Sequence, residues 1–288
     1  MARLVPVVVP GLFVLIWSTG FVVARLVAPH VEPFTFLSLR FGAAALFMAA
    51  VAALIGSRWP GTRAGWGRAA ISGVLLQGGY LGCVFWAVAH GLPAAISALV
   101  AGAQPLVTAA LAGPVLGERV SRLRWTGVAI GTAGIGLVVG PRLGTAGAIP
   151  LVPFLVACLG TLSITAGTIW QKKTAGSRDV APDTAIQFAA SVPIVGLMAL
   201  ASETGRIDPA PAFWIGLGWA VCGLSIGAIG LFLFMLRRGA VVGVASLLFL
   251  VPPVTAIVSY FLFGDTLAPV QLVGMAVAAA GLVLASRG

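Results

Sequence analysis

The sequence predicts an all-α integral membrane protein with ten transmembrane helices, arranged as two inverted five-helix repeats. Of its 288 residues, 60% are hydrophobic and only 8% are Asp, Glu, Lys or Arg, and the mean hydropathy is +1.10. The apolar residues fall into ten runs of about twenty, which is the length that a helix needs to cross a bilayer. The end of the first half of the chain also matches the end of the second half.

Charged residues, prolines and glycines separate the ten apolar runs. A soluble domain averages roughly 25% charged residues, so a chain with so few exposes most of its surface to lipid. Membrane β-barrels alternate polar and apolar residues in segments of about ten, a pattern that this sequence lacks. The predicted spans run from Pro6 to Val27, Phe34 to Ile55, Arg68 to Ala89, Ala94 to Leu116, Leu123 to Val139, Pro150 to Gln171, Pro182 to Ala201, Pro211 to Leu236, Val241 to Phe263 and Ala268 to Ser286.

Arginine and lysine are distributed unevenly between the loops. If the N-terminus is cytoplasmic, thirteen of the 17 basic residues lie on the cytoplasmic side, and only Arg25, Arg40, Arg142 and Arg206 lie on the other. Because cytoplasmic loops are enriched in basic residues, both termini are predicted to be cytoplasmic. This distribution explains the net charge of +10 without nucleic acid as a partner. The expected partners are the lipid bilayer and a small-molecule substrate, and the oligomeric state is left open.

An internal repeat divides the chain into residues 1–145 and 146–288. Because each half contains five spans, an odd number, the second half enters the membrane from the opposite side and the repeat is inverted. Secondary transporters with inverted repeats bind substrate at the interface between the halves, so this repeat favours transport. The aligned pairs, at offsets of 148 and then 147, are Gly91 with Gly239, Pro105 with Pro253, Glu118 with Asp265, Gly127 with Gly274 and Gly134 with Gly281.

Short motifs at the ends of the spans resemble a known family. The motifs are 117–119 (GER) with 125–127 (WTG), their echoes 264–266 (GDT) and 271–274 (QLVG), the opening 17–21 (WSTGF), and 39–41 (LRF). They resemble the paired repeats of the drug/metabolite transporter superfamily, in its ten-helix EamA-type branch. The resemblance covers nearly the whole chain, and it is strongest to bacterial exporters of amino acids, particularly aromatic ones.

The resemblance implies a bacterial inner-membrane location and a central cavity built by the first four spans of each half, with the fifth and tenth spans serving packing or dimerisation. It implies export of neutral amino acids with large or aromatic side chains by alternating access. Exporters of other amphiphilic metabolites or drugs form an alternative within transport. A non-transporting membrane scaffold or receptor is the alternative from another class, and the inverted repeat argues against it.

Residues for catalysis, metal binding or a cofactor are not evident in the pattern. The histidines, His30 and His90, lie at span ends, and the three cysteines lie within apolar runs without metal-ligand spacing. The seven Asp and Glu residues all fall in loops or at span ends. Proton-coupled carriers usually hold a carboxylate within the membrane, so the sequence predicts transport without proton coupling and without enzymatic activity.

Arg40 is the exception among the charges, because it lies about six residues inside the second span. Its guanidinium could pair with a substrate carboxylate, or it could snorkel to the interface or cap helix ends. Glutamines within the spans require partners, whereas Ser and Thr often bond back to their own helix. The candidate substrate-binding residues are Trp17, Ser18, Thr19, Arg40, Gln77, Tyr80, Gln104, Thr165, Gln187, Ser225 and Ser246.

Prolines stand in the middle of two matched spans, the fourth and the ninth. A proline removes one backbone donor and clashes with the carbonyl four residues earlier, which kinks or breaks the helix. Buried breaks of this kind can act as hinges or bind solutes. The symmetric placement predicts a gating role for Pro105, Pro252 and Pro253.

The predicted orientation can be tested by chemical labelling. Single cysteines placed beside Arg63, Arg122 and Arg178 in a cysteine-free background should resist an impermeant thiol reagent added to intact cells, because these loops are expected to face the cytoplasm. Permeabilised cells provide the positive control. Labelling of these positions in intact cells would contradict the orientation.

Overall fold

The computed structural model describes residues 5–108, 111, 121–139, 149–174, 179–228, 231, 250–266 and 268–287. Within these residues the chain is helical between short turns and loops, and Val31 and Ile207 form an isolated antiparallel bridge. Backbone polar groups in hydrocarbon must bond within the protein, and a helix achieves this inside one segment. The all-helical prediction is confirmed.

In the described residues, the first half contributes six helices. They are α1 (Val5–Val27), α2 (Pro33–Leu54), α3 (Arg63–Gly73), α4 (Tyr80–Ala89), α5 (Ala94–Gly102) and α6 (Arg122–Val139). A π-helical segment, Val74–Gly79, joins α3 directly to α4, so that these three elements form the third span. A turn at Ala103 ends α5, and the helix resumes over 104–108.

The described part of the second half contributes five helices. They are α7 (Leu151–Lys173), α8 (Val180–Ser202), α9 (Pro211–Trp219), α10 (Val251–Phe263) and α11 (Pro269–Arg287). A second π-helical segment, Ala220–Ala228, continues from α9. Gly264 ends α10 with a φ of 69°, the left-handed conformation that glycine adopts most readily. The Gly-Asp motif of the sequence is therefore a helix end.

Within the described ranges, five stretches are long and apolar enough to cross a membrane: Val9–Val27, Pro33–Leu54, Arg63–Ala89, Leu151–Lys173 and Val180–Ser202. Shorter apolar helices occur at Ala94–Thr108, Pro211–Ser225, Val251–Phe263 and Pro269–Ala285. Each predicted span contains a helix in the described residues. Parts of the fourth, eighth and ninth spans fall outside those residues, so their full lengths remain predictions.

Helices α2 and α8 pack against each other along their lengths and join the two halves of the chain. Their rings meet where Phe41 and Phe188 lie 5.7 Å apart between centroids. Phe36 of α2 stacks on Phe85 of α4 at 5.5 Å and contacts the edge of Phe213 of α9 at 6.4 Å. These five rings are all buried, and they join the two halves of the chain in one apolar core.

Helices α6 and α11 form a close pair through glycines. A Cβ atom on Gly127 would lie 2.6 Å from the Gly281 carbonyl oxygen, and one on Gly134 would lie 2.7 Å from the Ala278 Cα. Small residues of this kind let membrane helices approach to backbone contact, where dispersion and weak Cα–H bonds stabilise them. The fifth and tenth spans therefore pack against each other.

Two local features recur at matching positions of the halves, 147 residues apart. Glu32 and Asp179 are the N-cap residues of α2 and α8. The first π-helical segment begins at Val74 and the second spans the corresponding position. Backbone features that recur in both halves show that equivalent sequence positions adopt equivalent local structure.

The packing of α6 on α11 generates a stability prediction. Gly134→Ala should lower the free energy of unfolding by about 1–3 kcal/mol, because the added methyl group would overlap the α11 backbone. The matched control is Gly136→Ala, since a Cβ at Gly136 meets nothing within 4 Å. Thermal unfolding of the purified proteins in detergent measures both. Equal melting temperatures for the two variants would contradict the packing.

Candidate functional site

A cavity of about 360 Å³ lies between the two halves of the chain. Its walls come from α1, α2, the first π-helical segment, α4 and the segment 104–108 in the first half, and from α7, α8 and the second π-helical segment in the second. The lining residues are Trp17, Gly20, Phe21, Arg40, Leu76, Gln77, Tyr80, Leu81, Val84, Gln104, Ile164, Thr168, Gln171, Phe188, Leu224 and Ser225.

The structure brings six of the predicted substrate-binding residues to this cavity. These six are Trp17, Arg40, Gln77, Tyr80, Gln104 and Ser225. They come from five predicted spans, with Gln77 and Tyr80 both in the third, so their convergence is a property of the tertiary fold. The wall is mostly apolar and aromatic with a few polar groups, as is usual for small-molecule sites.

Three of the predicted substrate-binding residues have hydroxyls that form hydrogen bonds within the protein, and these residues do not line the cavity. Ser18 donates to the Val14 carbonyl at 2.7 Å, Thr165 donates to the Thr161 carbonyl at 2.7 Å, and Thr19 accepts from the Trp219 indole N–H at 2.7 Å. Back-bonding of this kind satisfies hydroxyls within apolar surroundings. Ser246 lies outside the described residues.

Gln187 is buried at the contact between α3 and α8 and is likewise absent from the cavity wall. A Cβ on Gly73 would lie 2.4 Å from the Gln187 Cα, so the two helices touch there. The Gln187 amide donates to the Asp183 carboxylate, one turn earlier in α8, at 2.9 Å. This bond gives the amide a partner without substrate.

Arg40 occupies the position of α2 that corresponds to Gln187 of α8, 147 residues later. Only 6% of Arg40 is exposed, and its Nε has no hydrogen-bond partner in the described part of the chain. The guanidinium carbon lies 5.8 Å from the centre of the Phe85 ring, which attracts a cation through its π-face. Arg40 therefore presents an incompletely bonded cation to the cavity.

Aromatic and amide side chains form the rest of the recognition surface. Trp17 is held by Phe13, one turn away at 5.5 Å between ring centres. The Gln104 amide donates to the Thr168 hydroxyl at 2.9 Å, which ties the broken fourth span to α7. Flat apolar walls with a few fixed polar groups suit a ring-bearing solute with one polar end.

The two π-helical segments supply Leu76 and Gln77 from one half and Leu224 and Ser225 from the other. In the second segment the Ser225 hydroxyl donates to the carbonyl of Ala220, five residues earlier, at 3.1 Å. The Ser163 hydroxyl of α7 donates to the Leu75 carbonyl at 2.8 Å. Single π turns are rare and occur frequently at functional sites. Sequence reasoning missed them, although the 148-residue spacing of Gln77 and Ser225 was a clue.

The predicted gating prolines occupy different settings. The helix breaks at Ala103, just before Gln104 and Pro105, and this break places Gln104 in the cavity wall. Pro252 and Pro253 stand in the first turn of α10, where a missing N–H leaves no intrahelical bond unmade. The Pro252 ring lies against Gly102, the last residue of α5. A gating role for the three prolines remains a prediction.

Reciprocal hydrogen bonds join the two halves at one end of the bundle. The Glu32 carboxylate accepts the N–H groups of Thr204 at 3.0 Å and Arg206 at 2.8 Å. The Glu203 carboxylate accepts the N–H groups of Phe34 and Thr35, each at 2.7 Å, in the first turn of α2. Each glutamate thus satisfies backbone donors of the other half, and we call this arrangement the glutamate latch.

Further contacts surround the glutamate latch. His30 Nδ1 lies 2.8 Å from an Asp208 carboxylate oxygen, and the Asp208 N–H donates to the His30 carbonyl at 2.6 Å.

At the opposite end of the bundle, the Arg58 N–H donates to the Asp179 carboxylate at 2.7 Å. Both ends of the α2–α8 pair are therefore tied by a helix N-cap carboxylate that bonds the other half.

Comparison with known proteins identifies relatives along the whole chain. The model of the EamA-like transporter family matches twice, at residues 11–140 and 151–287. The inner membrane transporter YedA of Escherichia coli K12, itself described as uncharacterized, is 25% identical over 276 residues, which cover 95% of this chain and 88% of YedA. A probable amino-acid metabolite efflux pump of Salmonella typhimurium LT2 is 27% identical over 290 residues, covering 95% and 92%.

A solved crystal structure shares the fold. It superimposes with a TM-score of 0.68 at 20% sequence identity, over 96% of this chain and 95% of the other. At this identity the likeness supports the overall fold.

The glutamate latch generates a prediction about pH. The N–H groups of Arg206 and Thr204 hold the pKa of the Glu32 carboxyl below its ordinary value. The ionised carboxylate therefore stabilises the latch above that ordinary value, and the stabilisation is lost as the pH falls through the lowered pKa. Glu32→Gln should lower the melting temperature at pH 7, and its difference from the wild type should shrink in acid.

The control is Arg206→Gln, which keeps the backbone N–H that bonds Glu32 and should leave the pH dependence unchanged. Thermal unfolding in detergent between about pH 3 and pH 7 measures all three proteins. A constant difference between the wild type and Glu32→Gln across this range would show that the carboxylate charge has no part in the latch.

Proposed function

Because the chain belongs to the EamA-like transporter family, we propose that it exports neutral amino acids with large or aromatic side chains across the bacterial inner membrane. The chain is a multi-pass membrane transporter rather than an enzyme. The observation that carries the proposal is the cavity between the halves, where Arg40 can bind a carboxylate and Trp17, Tyr80 and Phe188 can enclose an apolar side chain.

The size of the cavity supports a small substrate. Its volume of about 360 Å³ lies at the low end of the range for small-molecule sites, roughly 300–1,000 Å³. Gln77, Gln104 and Ser225 provide polar groups on its wall. The name of the Salmonella relative, an amino-acid metabolite efflux pump, supports the same substrate class.

Alternating access of two repeats, residues 1–145 and 146–288, is the proposed mechanism. The family model matches each half separately, the N-cap carboxylates recur 147 residues apart, and a π-helical segment occurs at a corresponding position of each half. Two similar halves can exchange their arrangements about an axis in the membrane plane, which exposes the cavity to each side in turn. The glutamate latch would hold one end closed, and we assign that end to the outside because the basic loops favour cytoplasmic termini.

The proposed transport is not coupled to protons. Six of the seven acidic residues are in the described part of the chain, and none of these six lines the cavity. The cavity therefore offers no carboxylate among its described residues that could load and release a proton during transport. A solute with no net charge would then move down its own concentration gradient.

Counterflow in proteoliposomes, with the twenty amino acids as competitors, tests the proposed substrate class. Amino acids with large or aromatic side chains should compete best. Trp17→Ala should raise the concentration at which they half-saturate transport about tenfold, because the substrate ring loses its stacking partner. Trp214→Ala is the matched control, since Trp214 is 59% exposed and does not line the cavity.

Two outcomes would contradict the proposal. Equal competition by small and large amino acids would show that the aromatic wall does not select substrate. Accumulation of a neutral amino acid driven by a proton gradient alone would show that transport is proton-coupled. Loss of Trp17→Ala from the membrane would instead identify Trp17 as a packing residue.

A further inference from the structure

The charge of the cavity wall is unbalanced. Arg40 is the only ionised side chain among the described residues that line it. Of the acids in the described chain, Glu32, Glu203, Asp208 and Asp265 lie in loops between helices, and Asp179 and Asp183 lie at the beginning of α8. None of them belongs to the cavity wall, so a bound solute meets one positive charge and no negative one.

The equivalent position in the second half shows what Arg40 lacks. Gln187 bonds the carboxylate of Asp183, which precedes it by four residues on the same face of α8. In α2 the residue four before Arg40 is Phe36, whose ring is fully buried and stacked on Phe85. The first half therefore has the Arg40 guanidinium where the second half has the Gln187 amide. It has the Phe36 ring where the second half has the Asp183 carboxylate.

A buried cation without a counter-ion is costly, and the structure gives Arg40 only partial compensation. Its charge faces the π-surface of Phe85, while its Nε lacks an acceptor in the described residues. A guanidinium binds a carboxylate through paired N–H groups, and this pairing is strongest where water is excluded. A ligand carboxylate would thus complete the site.

The ammonium group of a zwitterion has no comparable partner. It is one carbon away from the carboxylate, so a carboxylate bound to Arg40 brings the ammonium close to the same positive charge. The described wall offers it amide and hydroxyl oxygens and aromatic rings, but no carboxylate. Burial of an ammonium without a counter-ion is unfavourable, and the arginine increases that cost.

We propose that the cavity selects organic monoanions, in which one carboxylate is attached to a ring-sized apolar body without an ammonium group. N-acylated or deaminated derivatives of large amino acids belong to this class. The inference rests on one part of the proposed function, the export through this cavity of amino-acid metabolites with large or aromatic side chains. It revises the preferred charge state within that class from the zwitterion to the monoanion. It assigns Arg40 as the residue that determines this preference.

The energetics of export follow from this charge. An elementary charge that crosses a potential of about 100 mV changes in free energy by about 2.3 kcal/mol, which corresponds to roughly a fifty-fold concentration ratio. In a cell whose interior is negative, a monoanion is driven outward by this potential. The carrier would then export its substrate without a proton site, whereas transport of the zwitterion would be indifferent to the potential.

Four analogues with one shared ring separate the effects of charge. They are N-acetyl-L-phenylalanine as the anion, L-phenylalanine as the zwitterion, L-phenylalaninamide at pH 6 as the cation and N-acetyl-L-phenylalaninamide as the uncharged form. Binding to the purified wild-type protein should be about tenfold tighter for the anion than for the zwitterion, and weakest for the cation.

Arg40→Gln should weaken binding of the anion at least about tenfold while changing that of the uncharged analogue less than about twofold. Arg40→Lys keeps the charge and should retain part of the preference. Arg63→Gln removes a positive charge from the exposed beginning of α3, outside the cavity, and should bind all four analogues as the wild type does. If Arg40→Gln fails to fold, the wild-type series and Arg40→Lys still test the charge preference.

Flux measurements in proteoliposomes complete the test. A potassium diffusion potential should drive net movement of N-acetyl-L-phenylalanine toward the positive side and leave L-phenylalanine at equal concentrations. Transport of L-phenylalanine with equal or weaker binding of the anion would overturn this inference and leave the proposed function intact. Absence of transport for every analogue and every amino acid would overturn the proposed function itself.

Discussion

The absence of water from the hydrocarbon core is the constraint on which the rest of this structure depends. Without water, every buried polar group needs a hydrogen-bond partner within the protein. Backbone groups find theirs by forming helices throughout the described spans. Side-chain hydroxyls meet this need by bonding carbonyls of their own helix or a neighbour, as Thr165 and Ser163 do. The Gln187 amide finds its partner in the Asp183 carboxylate, one turn earlier in α8. Arg40 has a buried Nε without a partner in the described chain, so this requirement is incompletely met within the cavity wall itself.

The same constraint explains how the two halves are joined. Within the membrane they meet through buried rings, such as Phe41 against Phe188, and through the close backbone contact of α3 with α8 at Gly73. At the ends of the bundle, where water is present, carboxylates bond backbone N–H groups across the halves. Apolar contacts are not directional and can re-form in a second arrangement, whereas the hydrogen bonds at the ends depend on distance and angle and are either made or broken. The fold therefore places its breakable contacts at the two ends of the cavity.

Irregular helix geometry shapes the cavity. Two π-helical segments and the break at Ala103 turn Gln77, Ser225 and Gln104 toward the space between the halves. Each irregularity leaves backbone groups that a regular helix would bond, and nearby hydroxyls satisfy some of them, as Ser163 does at Leu75. Irregular backbone at membrane depth is tolerated where it is buried in protein or lines a cavity, and all three of these segments contribute residues to the cavity wall.

The sequence by itself determined the helical membrane class and the approximate positions of the spans that the structure describes in full, because these depend on apolar runs and on helix length. It also identified Trp17, Arg40 and Tyr80 as candidates, since large aromatic or charged residues inside a span need an explanation. The tertiary structure decided which polar residues reach the cavity. Thr165 and Gln187 matched the same pattern as Gln104, yet their partners lie on their own helices. The identity of a hydrogen-bond partner depends on helix rotation and on which helices are neighbours, and neither is encoded in the spacing of polar residues along one span.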